Sequence, residues 1–100
     1  MSFMVKIHKA EGRIVLAVCD SDIFGKKFSE GNKQIDLSSD FYRGKIMDED
    51  RVLSLMEASN SINLVGSKIV ELAVKNGFVN QKNIIKINNI PIAFIVNESV

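Results

Sequence analysis

Arg13-Ile14-Val15-Leu16-Ala17-Val18-Cys19 is apolar throughout after its first residue. A short continuous run of this kind predicts a strand covered on both faces, and so a central place in a sheet. Immediately upstream, Phe3, Val5 and Ile7 alternate with Met4, Lys6 and His8, the two-residue period of a strand with one dry face. Ala10-Glu11-Gly12-Arg13 supplies the turn between them, with Gly12 free to take a positive φ. The two runs therefore predict an antiparallel hairpin whose second strand is interior.

Downstream, Asp48 is a good helix N-cap, and Glu49 and Asp50 complement the helix dipole in the first turn. Val52, Leu55, Met56 and Ser59 follow at helical spacing, fading at Asn60. Ile62-Asn63-Leu64-Val65 reads as a short strand, and a second helix starts at Gly66-Ser67. Ile69, Val70, Leu72, Ala73 and Val74 cover much of its circumference, while Glu71 and Lys75 pair at i,i+4 on the wet side. Gly77 is placed to end this helix in the left-handed conformation, with Phe78 packing back. Asn83–Ile87 and Ile90–Val96 flank Asn88-Asn89, the pattern of a tight hairpin turn. Pro91 cannot donate to a ladder, which predicts that this last strand begins at an edge or outside the pairing.

Residues 20–45 are punctuated by Gly25, Gly31 and Gly44, and only Gln34-Ile35-Asp36-Leu37 suggests a strand there. Phe24, Phe28, Phe41 and Tyr42 cluster in the same stretch, which predicts a loop pinned to the core. The expected order is β-β-β-α-β-α-β-β: one α+β domain over residues 1–100, with two helices and a mixed, mainly antiparallel sheet.

Size and composition agree with a single domain. The chain has 100 residues, 46% hydrophobic and 25% charged, at the globular average. Its single cysteine, Cys19, cannot form an internal disulfide, which fits a reducing, cytoplasmic setting. The longest apolar runs are strand-length, so no membrane span is expected, and the N-terminus lacks a signal-peptide layout. Net charge is only +1, too small for a protein that relies chiefly on phosphate neutralisation.

The candidate chemistry is sparse. His8 and Cys19 share one strand face, but the hairpin register sets them diagonally apart, and one Cys with one His cannot fill a zinc shell. Asp20, Asp22, Asp36 and Asp40 sit at turn positions that favour Asp for its own hydrogen bonds. Gly66-Ser67-Lys68 is a sharper feature, because free N–H groups at a helix start attract anions. Ser61 stands where a phosphate loop needs glycine, however, and Ser67 has the simpler role of an N-cap. The remaining group is basic and aromatic: Lys26, Lys27, Lys33, Tyr42, Arg43 and Lys45. Cations with planar side chains suit phosphates and unpaired bases, although Glu30, Asp36 and Asp40 dilute the charge.

Several segments together resemble an archaeal family of uncharacterised proteins, domain of unknown function 424. The likeness rests on Val18-Cys19-Asp20, Ile23-Phe24-Gly25-Lys26 with Phe28, Phe41-Tyr42 with Gly44, and Ile62-Asn63-Leu64-Val65-Gly66. It continues through Val70-Glu71-Leu72-Ala73, Gly77-Phe78-Val79 and Ile87. The resemblance implies an archaeal, cytosolic, single-domain protein, with no catalytic residues or cofactor to carry over. It also implies genes that often neighbour translation genes. The leading expectation is a binding module, not an enzyme, without cofactor or metal, that contacts RNA or a ribonucleoprotein of the translation apparatus. The alternatives are a ligand site at Gly66, Ser67 and Lys68, and a module that pairs with a protein through the edge near Ile92–Val96.

Overall fold

The computed structural model of the chain describes residues 1–97, and its centre is the strand read first from the sequence. Six strands lie in the order β5-β1-β2-β6-β8-β7. They are β1 (Ser2–Ala10), β2 (Arg13–Asp20), β5 (Lys45–Asp48), β6 (Ser61–Val65), β7 (Ile85–Ile87) and β8 (Ile90–Val96). All neighbours are antiparallel except β2 and β6, which run parallel with Leu16 opposite Ile62 and Val18 opposite Leu64. The fold is therefore the expected α+β domain with a mixed, mainly antiparallel sheet.

Two further strands, β3 (Lys27–Glu30) and β4 (Lys33–Asp36), form a separate hairpin. The order is thus β-β-β-β-β-α-β-α-β-β. The sequence reading missed β3 and β5 because each is four residues long and largely exposed, leaving no apolar periodicity to see. The single strand expected at Gln34–Leu37 is β4, one residue earlier, with Leu37 fully buried just beyond it.

Side chains alternate between the two sheet faces. On the first face, Phe3, Val5, Leu16, Val18, Ile62, Leu64 and Ala93 meet both helices, α1 (Glu49–Ala58) and α2 (Ser67–Lys75). Val52 and Met56 are the buried residues of α1, and Ile69, Val70, Leu72 and Ala73 those of α2. Asp48 caps α1 as expected, its Oδ1 accepting from the Arg51 N–H at 2.9 Å. Gly77, at φ 79, closes α2, and the Phe78 N–H reaches the Ala73 carbonyl at 2.9 Å.

On the second face, Ala17, Cys19, Val65, Ile87 and Ile92 are covered by Leu37 and Tyr42, with Ile23, Phe24, Phe28 and Ile35 packed around them. Residues 21–44 are therefore a third layer over part of the sheet. Burial of β2 from Leu16 to Asp20 follows directly, because both its faces are occupied. Asn88 and Asn89 take φ of 50 and 64, the expected primed turn. Pro91 lies one residue beyond the last β6–β8 pair, Val65 with Ile92, yet β7 pairs it through Lys86, so β8 does not begin at an edge.

Candidate functional site

The start of α2 is filled from within the chain. Asp20 is buried, and both its carboxyl oxygens accept backbone hydrogen bonds, from Lys68 at 2.9 Å and from Ile69 at 2.8 Å. These are the N–H groups that were expected to attract an external anion. Burial raises the Asp20 pKa above 3.8, and the two N–H donors oppose that rise. Gly66, not Ser67, is the N-cap, and no side chain of its own caps the helix. The cap comes instead from the end of β2. The Lys68 ammonium is turned to Asp22 at 3.3 Å, so its charge is also partnered. Gly66, Ser67 and Lys68 consequently offer an anion little that is free.

The basic and aromatic residues divide into two groups. Lys26, Lys27 and Lys33 are exposed on or beside the β3–β4 hairpin, where Lys27 lies 4.0 Å from Asp36 and Lys33 stands opposite Glu30. They form no shared concave surface with the rest. Tyr42 is a core residue, only 6% exposed, so it is not a platform for a base. Burial, with Cys19 adding to it, pushes its hydroxyl pKa up to about 12. The sequence reading assigned this side chain to binding because aromatic composition does not reveal which way a loop side chain turns.

Arg43 and Lys45 belong to a different arrangement. With Lys6 and Arg51 they line a groove of about 410 Å³, floored by Val5, Ile7, Gly44 and Met47. The lining holds four cations and no carboxylate. Three elements supply it: β1, the segment entering β5, and the first turn of α1. Gly44 makes this approach possible, since a Cβ there would lie 2.8 Å from the Lys6 Cα and closer still to the Val5 carbonyl. Asp40 partly neutralises Arg43 at 3.4 Å, and the guanidinium stands 5.8 Å from the Phe24 ring centroid. Among the described residues, Lys6, Lys45 and Arg51 enter no ion pair. Sequence reasoning missed Lys6 and Arg51. The alternation of β1 shows that Lys6 faces away from the helices, but nothing in the spacing links it to Arg51.

Beside this groove, His8 bonds through Nε2 to the Phe41 carbonyl at 2.9 Å and stacks on the Phe41 ring, centroids 4.6 Å apart. Phe41 keeps 38% of its surface exposed. Cys19 stands opposite Met4 and His8 opposite Val15, four residues farther along the strand. The two are thus about 13 Å apart, beyond any nucleophile–base contact. Burial, then Asp20 and Asp22, push the Cys19 thiol up to about 12, which keeps it protonated. Among the described residues, no group of three or more His, Cys, Asp or Glu is placed to hold a metal ion. No helix among them is long and apolar enough to cross a membrane.

Comparison with known proteins agrees with the fold. A crystal structure described as an uncharacterized conserved protein from Methanopyrus kandleri superposes with a TM-score of 0.79 at 25% identity. The match covers 98% of this chain and 95% of that one. No curated protein matches the chain. The family model described as "Protein of unknown function (DUF424)" matches residues 8–97, which takes in every described element except the opening residues of β1. The chain belongs to that family.

Proposed function

We propose that this protein is a small RNA-binding module that works with ribonucleoprotein of the translation apparatus, and not an enzyme. The observation that carries this reading is the groove of Lys6, Arg43, Lys45 and Arg51, free of carboxylates in its lining. A concave surface of one sign concentrates potential even when the net charge is near zero. The chain's overall charge of +1 therefore does not argue against a local phosphate site. The placement of translation ribonucleoprotein among the partners rests on the gene neighbourhood that the family resemblance implies.

The groove is small, so it accounts for few phosphate contacts. Four cations on a single strand give a slope of log K against log salt of about −3. Fluorescence anisotropy with a labelled RNA, measured across a salt series, tests the reading. The combined change Lys6→Glu, Lys45→Glu and Arg51→Glu removes three exposed or half-exposed charges without touching the buried core. It is expected to abolish binding, with circular dichroism confirming the fold. Unchanged RNA affinity in that variant refutes the proposal.

A further inference from the structure

The third layer covers the second sheet face only in part: Ala17 lies beneath it and the Phe41 ring stacks on His8, and register defines the surface that continues beyond them. Lys6, Ala17, Asn63 and Phe94 form one row across β1, β2, β6 and β8. His8, Val15, Ser61 and Val96 form the next. Ala17 is buried, but Phe94 is 61% and Val96 68% exposed, and the other five are half-buried. The two rows contain no carboxylate. The side chains of Ser61 and Asn63 make no hydrogen bond among the described residues, so both stand ready to bond a ligand across an otherwise apolar surface.

We infer that the bare part of this sheet face is a base platform for single-stranded RNA, with one base on Phe94 and the strand running past Asn63, Ser61 and Val15 to the His8–Phe41 pair. The inference rests on the RNA-binding reading and gives it a substrate class. Phe94 and Lys6 are three strand spacings apart, about 14 Å. A sheet surface of that width with aromatics near both ends accommodates about two or three unstacked bases. Lys6 belongs at once to this face and to the cationic groove, so a strand leaving the platform passes directly onto Arg43, Lys45 and Arg51. Duplex RNA hides its base faces and gains nothing from Phe94. A protein partner would find an apolar patch interrupted by two unsatisfied polar side chains and a cation, whereas a nucleotide strand carries base edges and phosphates to meet them.

The test is anisotropy on the full chain with three probes: a labelled oligouridylate, the same length with abasic sites, and a duplex. Wild type is expected to prefer the oligouridylate. Phe94→Ala is expected to weaken it about tenfold or more, with little change for the abasic strand. Phe94→Tyr restores the ring and is expected to restore affinity. Because Phe94 is largely exposed, neither change opens the core. Equal binding by wild type and Phe94→Ala, alongside loss in the triple charge reversal, overturns the platform and leaves the cationic groove standing. Binding of no probe by wild type overturns both. A wild-type dimer that Phe94→Ala converts to monomer in sedimentation also overturns the platform, because the face then belongs to a second copy.

Discussion

Replacing Gly66 with alanine tests how β2 and α2 are joined. Gly66 adopts φ 125 and ψ 151, a region that residues with a Cβ almost never enter, at a cost of about 1–3 kcal/mol. The new methyl would also lie 2.5 Å from Asp20 Oδ2 and 2.8 Å from Oδ1, well inside normal contact distance. Asp20 is buried, so its carboxyl has to move off the Lys68 and Ile69 N–H groups. Each hydrogen bond to a charged group contributes about 1.5–3 kcal/mol. With partial relaxation the sum comes to about 4 kcal/mol, a large part of the ~5–15 kcal/mol that a domain possesses. Urea unfolding followed by circular dichroism should show the midpoint falling by about 2–3 M for an m-value near 1.5 kcal/mol/M. Asp20→Asn alone keeps one acceptor but turns an amide donor toward the second N–H, at a cost of about 2 kcal/mol. If both changes act on the same two hydrogen bonds, the double variant is less destabilised than the sum of the singles. Full additivity, or a cost below about 1 kcal/mol for Gly66→Ala, refutes this account.

Two other outcomes follow from the geometry. Asp36 Oδ1 accepts from the Ser38 hydroxyl at 2.5 Å and from its N–H at 2.9 Å, and these donors hold the carboxyl below 3.8. Its stabilisation is therefore present above pH 3.8 and lost as the pH falls through the lowered folded value. Buried Asp20 has the opposite sign: its raised folded pKa favours the native state fully below 3.8, a contribution lost as the pH rises through the raised folded value. Carboxyl carbon NMR titration should place the two on opposite sides of 3.8, with Ser38→Ala returning Asp36 toward its ordinary value; an unmoved Asp36 contradicts the assignment. Gly44→Ala forces a Cβ within 2.6 Å of the Val5 carbonyl carbon and 2.8 Å of the Lys6 Cα, both backbone atoms that cannot swing aside. Parting β1 from the entry to β5 should cost about 3 kcal/mol or more in urea unfolding, and a cost within ±0.5 kcal/mol would show that the segment yields freely.

The elements legible in the sequence are those whose burial imposes a period. Leu16 to Val18 announce an interior strand, Val52 and Met56 one helix face, and Ile69 to Ala73 the more deeply buried helix. Caps and turns made by adjacent residues were equally readable, as Asp48 with Arg51 and Asn88-Asn89 show. What escaped was set by residues distant in sequence. Asp20 caps a helix 48 positions away, so its carboxylate looked like an ordinary turn residue, and Ser67 was read as the cap instead. Tyr42 was read both as pinning the loop to the core and as a binding residue, and only the first role holds, because it turns inward with Leu37 over Cys19. The cationic groove was half visible: Arg43 and Lys45 came from composition, but Lys6 joins them through the pairing of β1 with β5, and Arg51 through the first turn of α1.

The parallel pairing of β2 with β6 bears on the order in which the chain can assemble. The first hairpin is complete by Asp20, but the strands that flank it are not made until Lys45–Asp48 on one side and Ser61–Val65 on the other. During synthesis this hairpin waits with both edges unpaired, and closing the intervening loops sets the entropic cost of finishing the sheet. An unpaired edge is a template for misassembly, and Lys6 and Lys9 on β1 and Arg13 on β2 place cations on the two edge strands. Those residues thus guard the nascent hairpin before one of them, Lys6, becomes part of the groove.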